Sequence, residues 1–549
     1  MKHRSLLAGL SALAVTAGLT AGVAAPASAL PDAPYEPDFA PAREGAAWLT
    51  GQLTDGLMVN PNFGGFTDYG LTVDTGLALA DVGEPGTVDT ISAALAPEVR
   101  SYYTYFVTAE KTHVSAGSLA KATAFVQDAG DDTSAYGGQD LVTQLEARVS
   151  TASGSAGRLG DVFFPEEQYE ADYANTIGQA FAAKALDVEG STRAASVTDY
   201  LLAQQCSDGF FRLALGATAA DTCDTATPAA TPSTDVTALA IINLQSQLDD
   251  PVVAAAVTDA LTWLKGTQNP DGSFGSDAMI TTANANSTGL AGWALGDAES
   301  SSTASYTDAA RSAAVWLRTR QVANTASCRP YAGADEGAVA YDDAALESVT
   351  GTPITQEAQD QFRRATAQAL PALTSAPDGV VPTPYVSDYV RARSVQRVDV
   401  AASPGDVVCL VGNGTTRLRR VPTTGTLSFS FTLPSGTGNR AYAVQDGDEV
   451  VYSRTYRALG SKTLKVRALA SVRRGAQQRV VLTGLAAGEQ VKVSFGGKVV
   501  ARGKAGSKGR FQRAFTVPVK AGLGQRKLRV VGEFSTRVGT TTFKVTRAK

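Results

Sequence analysis

Histidine is scarce in this chain: its 549 residues include only two, His3 and His113. A Ser-His-Asp triad needs a histidine base, and zinc sites in proteins are built mainly from cysteine and histidine ligands. The sequence also has no Cys-x-x-Cys pair. We therefore predict no metal site and no bound cofactor.

Beyond its first 30 residues, the chain lacks any long apolar run. Residues 6–23 are almost entirely apolar, with basic residues at 2–4 before them and the small residues Ala-Ser-Ala at 27–29 after them. This pattern is typical of a secretory signal peptide, and we expect cleavage after Ala29. No later run approaches the ~18 apolar residues that would cross a bilayer. The sequence thus predicts a secreted, extracellular protein without a membrane span.

Cysteine is also rare, and its four copies fit an oxidising compartment. Four cysteines allow three pairings. We favour Cys206–Cys223, which would close a loop after one helix, and Cys328–Cys409, which would link the first part of the chain to the last. The alternative is that the thiols are free and buried.

Charge is divided sharply along the chain. Residues 30–389 carry 16 Lys and Arg against 46 Asp and Glu, whereas residues 390–549 carry 30 against 7. An exported protein meets anionic cell-envelope polymers more often than nucleic acid, so we predict contact with such a polymer and none with nucleic acid. Alternatively, the basic surface only balances the acidic part within the molecule. Six basic residues fall in one hairpin-like stretch: Lys498, Arg502, Lys504, Lys508, Arg510 and Arg513.

An aromatic-Leu pair followed by Gln recurs at the ends of predicted helices. The clearest copy continues into Gln-Asn-Pro-Asp-Gly-Ser-Phe-Gly at residues 268–275, where Pro-Asp-Gly predicts a tight turn. An Ala- and Leu-rich helix follows. The four copies are Trp48-Leu49 with Gln52, Tyr200-Leu201 with Gln205, Trp263-Leu264 with Gln268, and Trp316-Leu317 with Gln321.

Six Ala-rich segments each begin near a Gly or Thr, and a Ser, Thr or Asp stands two positions before that residue. Those side chains are suited to cap the first turn of a helix. Repeats spaced by about 40 to 60 residues predict a repeat architecture, and helices that are apolar all round are buried. We therefore predict six helix pairs in a closed ring, with a helix at 355–373 closing it. The six predicted caps are Asp74, Ser115, Thr176, Asp235, Ser287 and Asp335.

The turn at residues 268–275 resembles the repeat of the prenyltransferase and squalene-oxidase superfamily. Terpenoid cyclases, protein prenyltransferase β subunits, complement thioester domains and cobalamin carriers share its α/α toroid. The resemblance implies an all-α (α/α)6 toroid over roughly residues 40–370. It implies little about activity, because one fold hosts many chemistries.

The motifs that carry the chemistry of that superfamily are missing. The Asp-x-Asp-Asp string of terpenoid cyclases does not occur, and the Asp, Cys and His ligands of the prenyltransferase zinc would have to use His113. The thioester string Cys-Gly-Glu-Gln is represented only by Gly-Glu-Gln at 488–490, without the cysteine. We therefore name no catalytic residue and lean towards a protein that is not an enzyme.

The C-terminal region alternates apolar and polar residues with a period of two, and Gly-rich turns recur at intervals of about ten residues. This pattern predicts strands and a β-sandwich. The last part resembles an immunoglobulin-like module. We predict a signal peptide at 1–29, a toroid at 30–389, a small β unit at 390–461 and a basic immunoglobulin-like sandwich at 462–549.

The predicted function is that of a secreted, non-catalytic ligand-binding or cell-surface protein. Its partner would be a small molecule or surface ligand at the ring mouth, where the helix N-termini meet. One alternative is a carbohydrate-active or terpenoid-cyclase-like enzyme that uses mouth carboxylates, and another is a cobalamin or isoprenoid carrier. The predicted mouth residues are Asp74, His113, Ser115, Tyr173, Thr176, Asp235, Ser287 and Asp335.

Overall fold

The fold is known from a computed structural model of the chain. It describes residues 38–167, 170–226, 229–277, 280–298, 304–325, 327–377, 388–402, 404–422, 424–447 and 449–548. These residues belong to one compact unit, Pro37–Lys549. The predicted signal peptide at 1–29 lies outside the described residues.

The first part of the described chain is helical. Its aromatic-Leu pairs lie near the ends of helices, and the leucines Leu49, Leu201, Leu264 and Leu317 are fully buried. One apolar core extends over this part, from Ala42 to Leu373. The helices are α1 (Ala40–Thr50), α2 (Tyr69–Asp81), α3 (Pro85–Leu95), α4 (Val99–Tyr103), α5 (Ala116–Ala129), α6 (Leu141–Glu146), α7 (Thr176–Val188), α8 (Ala194–Leu202), α9 (Thr234–Leu244), α10 (Pro251–Thr267), α11 (Ala285–Asp297), α12 (Ala304–Arg318), α13 (Asp343–Ser348) and α14 (Gln356–Ala369).

Six of these helices contact one another in a closed circle. In chain order they are α2, α5, α7, α9, α11 and α14; each contacts the next, and α14 contacts α2. We call them the core helices. Helices α8, α10 and α12 pack on the core helix that precedes or follows them in the chain. Small residues allow the close approach: a Cβ added to Gly178 in α7 would lie 2.7 Å from the Cα of Gly117 in α5.

The predicted N-caps are mostly wrong. Ser115 does cap α5, because its hydroxyl accepts a hydrogen bond from the backbone N–H of Ser118. The other predicted caps that lie in core helices fall inside those helices. A Ser, Asp or Asn further upstream caps each of them, because these residue types are equally good caps. The Gly or Thr that follows each predicted cap allows close packing of the helices. The observed caps are Asp68 for α2, Asn175 for α7, Ser233 for α9, Asn284 for α11 and Thr355 for α14.

The sixth core helix is α14, the helix expected to close the ring, and not a helix beginning after Asp335. Asp335 ends a short 3-10 turn, and its carboxylate accepts a hydrogen bond of 2.8 Å from the N–H of Ile354. Helix α14 is not apolar all round. Arg363 donates to the carbonyl of Val59, and Arg364 pairs with Asp68. These polar contacts explain why an apolar pattern did not identify α14 as a core helix.

The second part of the described chain is rich in β-strands, as predicted. Small hairpins also precede α2 and α5. The strands are β1 (Val59–Asn60), β2 (Phe66–Thr67), β3 (Thr104–Phe106), β4 (Thr112–Val114), β5 (Tyr389–Arg391), β6 (Val395–Ala401), β7 (Val407–Gly412), β8 (Thr415–Arg420), β9 (Thr426–Thr432), β10 (Gly438–Asp446), β11 (Glu449–Leu459), β12 (Lys462–Thr463), β13 (Lys465–Ala468), β14 (Ser471–Arg473), β15 (Gln477–Thr483), β16 (Gln490–Phe495), β17 (Lys498–Lys504), β18 (Arg510–Thr516), β19 (Gly524–Val531) and β20 (Arg537–Thr546).

The strands surround two separate apolar cores. The first is enclosed by a sheet of order β5-β11-β10-β7-β8 and by the pair β6-β9, and it extends from Val390 to Ala458. The second lies between a sheet of order β12-β20-β19-β16-β17, which β14 joins at β20, and a sheet of order β13-β15-β18. In strands such as β9 and β16, buried residues alternate with more exposed ones, which explains the period of two.

Both favoured disulfides are confirmed. Cys206 is bonded to Cys223 across 17 residues, and Cys328 is bonded to Cys409 in β7 across 81 residues. The second bond joins the helical part to the β-rich part. The ion pair between Arg318, at the end of α12, and the buried Asp406 lies across the same junction.

Candidate ligand site

A cavity of about 500 Å³ lies among the core helices, and all six contribute to its lining. We call it the central cavity. Its volume falls within the range of small-molecule sites in proteins. The larger apolar residues of its wall are Leu77, Ile177, Phe181, Leu239, Ile242 and Leu290.

Two ion pairs lie in the wall of the central cavity, and α5 supplies one member of each. Lys121 pairs with Asp74 of α2, and Lys184 of α7 has its Nζ 2.6 Å from Asp128. Burial lowers the pKa of Lys121, but the Asp74 carboxylate outweighs it, so that pKa lies above its ordinary value. Partnering of this kind is what allows charges in a protein interior to remain ionised.

Two further carboxyl groups face the central cavity from the ends of core helices. Asp81 is the last residue of α2, and Asp297 is the last residue of α11. Desolvation by the surrounding helices raises the pKa of Asp81 to about 6, although the side chain remains exposed at this end of the cavity. Burial, followed by repulsion from Asp81, raises the pKa of Asp297 to about 8, although the Lys184 ammonium opposes this. The pair therefore retains one proton near neutral pH.

Trp293 lines the central cavity one helical turn before Asp297. Residues four apart in a helix share a face, so the indole lies on the side of α11 that carries the carboxyl group. An aromatic ring and two carboxyl groups thus occupy one end of the cavity.

A second, smaller pocket of about 210 Å³ lies beside the N-terminal ends of α5 and α7. We call it the mouth pocket. Ser115 and Tyr173, two of the predicted mouth residues, line it together, and the Tyr173 side chain is largely exposed. Lys121, Ile177 and Phe181 line both spaces, so the mouth pocket adjoins the central cavity.

The structure places several other predicted mouth residues in packed surroundings. His113 is buried in β4, with its ring centroid 5.6 Å from that of Tyr105. Thr176 and Ser287 are buried within the first turns of α7 and α11. Asp235 accepts a hydrogen bond of 2.7 Å from Ser276, and burial raises its pKa.

The prediction of mouth residues included Asp74 but missed Asp81, Lys184, Trp293 and Asp297, which lie towards the C-terminal ends of the core helices. A signal for them was present in the sequence. Charged side chains are rarely buried without a partner, so Asp and Lys inside otherwise Ala- and Leu-rich helices mark a polar interior. The prediction placed the ligand at the helix N-termini, whereas the larger cavity reaches the C-terminal ends.

Within the described residues, no group of three or more His, Cys, Asp or Glu side chains is arranged to hold a metal ion. A search of the same part of the chain for helices long and apolar enough to cross a membrane finds none.

No protein-family model matches this chain, and no curated protein matches its sequence. Among solved structures, a protein from Actinoplanes is 17% identical, with a TM-score of 0.41, over 61% of this chain and 98% of its own. The type II terpene cyclase MstE from Scytonema is 13% identical, with a TM-score of 0.40, over 61% of this chain and 96% of its own. The ent-copalyl diphosphate synthase from Streptomyces platensis is 15% identical, with a TM-score of 0.35, over 57% of this chain and 51% of its own. Similarity at this level carries no inference about activity.

Proposed function

We propose that this chain is a ligand-binding protein whose central cavity holds one small, largely apolar molecule. The observation that carries the proposal is the cavity itself: about 500 Å³, lined by six helices, with mainly apolar accessible surface and charged and amide side chains at defined places. Pockets with this balance are the usual sites of small-molecule binding. The mouth pocket beside Tyr173 would be the route of entry.

The circle of core helices supports a finer description of the fold. In this proposal it is an α/α toroid of the terpenoid-cyclase type, and the two β cores that follow are sandwiches, the last one immunoglobulin-like. The two disulfides are consistent with secretion, because such bonds persist in oxidising compartments.

A binding role fits the charges of the ring better than catalysis by mouth carboxylates does. The three candidate acids are each engaged by the protein: Asp74 by Lys121, Asp235 by Ser276, and Asp335 by the N–H of Ile354. Retaining glycosidases need two carboxyl groups about 5 Å apart across a sugar bond. Carboxyl groups that already bond to three different partners are poorly placed to act as such a pair.

The β-rich part supports a second role, attachment to an anionic envelope polymer. In β16 and β17, Lys492 stands directly opposite Arg502, and both side chains are exposed. Arg529 of β19 pairs with Ser494, two residues from Lys492, and so lies on the same sheet face. Like charges opposite each other destabilise a sheet, and a polyanion would relieve that repulsion.

Cosedimentation with isolated cell envelopes tests the attachment. Binding should weaken steeply as salt rises, because exposed charges are screened beyond about 8 Å at physiological ionic strength. A Lys492→Gln/Arg502→Gln variant should bind more weakly than the wild type at low salt. Binding that is insensitive to salt would contradict this role.

A thermal-shift screen of small apolar amphiphiles tests the cavity. Ala80 of α2 lines the central cavity, and Ala80→Trp would fill part of it, whereas Ala93→Trp adds the same side chain to the exposed surface of α3. A compound that binds should raise the unfolding temperature of the wild type and of Ala93→Trp, but not of Ala80→Trp. Equal stabilisation of both variants would place the site elsewhere.

A further inference from the structure

We propose that the central cavity selects an organic cation, with Asp81, Asp297 and Trp293 receiving the positively charged nitrogen. This inference rests on the proposed ligand-binding function and adds the chemical class of the ligand. The ligand would carry an ammonium or quaternary ammonium group on an apolar body.

The helix geometry makes one end of the cavity electronegative. Asp81 and Asp297 are the C-terminal residues of α2 and α11, and each of these helices has 13 residues. The C-terminus of a helix carries a partial negative charge, which favours cations and disfavours carboxylates. Two helix ends and two acidic side chains therefore face the same cavity, an arrangement that favours a bound positive charge.

The charged groups of the cavity wall do not balance. Four carboxyl groups line it, from Asp74 and Asp81 of α2, Asp128 of α5 and Asp297 of α11. Two ammonium groups oppose them: Lys121, paired with Asp74, and Lys184, paired with Asp128. Helices α9 and α14 line the cavity with Leu239, Ile242, Asn243, Ala367 and Gln368.

Among the described residues that line the cavity, two more carboxyl groups than ammonium groups remain once the two ion pairs are formed. The pKa values of the two remaining carboxyls are raised, to about 6 for Asp81 and about 8 for Asp297, so this end of the cavity disfavours two negative charges even though Asp81 is exposed there. A ligand cation would add positive charge at this end of the cavity and displace the proton that the pair holds at neutral pH.

The rest of the lining suits the remainder of such a ligand. The face of Trp293 can receive a cation through its π system, an attraction of about 0.5–2 kcal/mol in protein sites. Phe181 and Leu290 offer apolar surface for a hydrocarbon body. An anionic amphiphile would meet the same carboxyl groups and be repelled.

Calorimetric titration with three probes that share a hexyl chain tests the inference: hexyltrimethylammonium, 1-hexanol and hexanoate. We expect the cation to bind at least tenfold more tightly than the alcohol at pH 8, and hexanoate to bind most weakly. The affinity for the cation should rise about tenfold between pH 6 and pH 8 as the proton becomes easier to displace. Titrations at pH 7 in buffers of different ionisation enthalpy should show proton release.

Variants separate recognition from folding. Asp297→Asn should weaken binding of the cation about tenfold at pH 8, abolish most of the proton release and leave the affinity for 1-hexanol unchanged. Trp293→Leu should weaken binding of the cation more than binding of the alcohol. Asp89→Asn, on the exposed surface of α3, should behave like the wild type.

The outcomes are distinguishable. Equal affinities for the cation and the alcohol, or an Asp297→Asn variant that still binds the cation with wild-type affinity and proton release, would overturn the inference and leave the binding function standing. If none of the probes binds, or if Ala80→Trp binds them as the wild type does, the inference and the cavity function fail together.

Discussion

The side-chain amide of Gln321 donates a hydrogen bond of 2.8 Å to the carbonyl of Pro41, 280 residues earlier in the chain. The same Nε2 donates to the carbonyl of Gly337 at 3.1 Å. Gln205 and Gln268 make the same double contact. Each donates to the carbonyl of the Gly in its own turn and to a carbonyl of a later helix, Ala256 of α10 for Gln205 and Ala309 of α12 for Gln268. Gln321 thus joins the last unit of the circle to the first.

Replacing Gln321 with leucine should loosen this closure. The side chain is buried, and the variant leaves two carbonyl groups without their amide donor. We expect a loss of about 2 kcal/mol in the free energy of unfolding, together with faster amide exchange in α1 and α12. Hydrogen-exchange mass spectrometry measures the second effect. Gln512→Leu, an exposed change in β18, should alter neither.

Gly337 permits the first and last units to approach. Its φ is +94°, and an added Cβ would lie 2.1 Å from the carbonyl oxygen of Glu44 in α1. Gly337→Ala should therefore cost about 3 kcal/mol through backbone strain and collision. Gly333, in the same loop, has open space around its Cα, so Gly333→Ala is the matched control. Similar unfolding temperatures for the two variants would contradict the packing described.

The Cys328–Cys409 disulfide should stabilise the protein more than Cys206–Cys223 does. By loop-closure entropy, bridging 81 residues contributes about 4 kcal/mol and bridging 17 residues about 3 kcal/mol. Cys328→Ser/Cys409→Ser should therefore unfold at a lower temperature than Cys206→Ser/Cys223→Ser, as calorimetry would record. The opposite order would mean that the two parts of the chain hold together without their covalent link.

Stability should fall as pH rises through the titration of Asp297. The folded protein holds this proton more tightly than an unfolded chain does, because its pKa is raised to about 8. The resulting stabilisation is complete below the ordinary carboxyl pKa near 4 and disappears as pH rises through about 8. Asp297→Asn should flatten the decline in unfolding temperature between pH 5 and pH 9. A decline as steep in Asp297→Asn as in Asp89→Asn would contradict the assignment.

Much of the fold could be predicted because it is encoded locally. The aromatic-Leu pairs marked helix ends, the alternation marked strands, and Gln205, Gln268 and Gln321 marked equivalent places in three units. The unit that contains α7 does not show this pattern, because the equivalent glutamine comes from the core helix itself. There Gln179 of the core helix α7 donates to the carbonyls of Gly157 and Val197.

The site was predictable only in part, because its residues come together only when the circle of core helices closes. Asp81 and Asp297 are 216 positions apart in the chain, and neither belongs to a motif. Their proximity depends on all six core helices packing in order, which no local pattern specifies. The mouth residues were chosen as helix caps, and this criterion selects the N-terminal ends of helices, whereas the central cavity also uses the C-terminal ends.

Native mass spectrometry of the protein purified from its natural host tests the central claim most directly. The account predicts a bound small molecule at a stoichiometry of one, released on denaturation and missing from the Ala80→Trp variant but present in Ala93→Trp. A wild-type protein that remains empty, and binds none of the hexyl probes when they are added, would contradict a ligand-binding role for the central cavity.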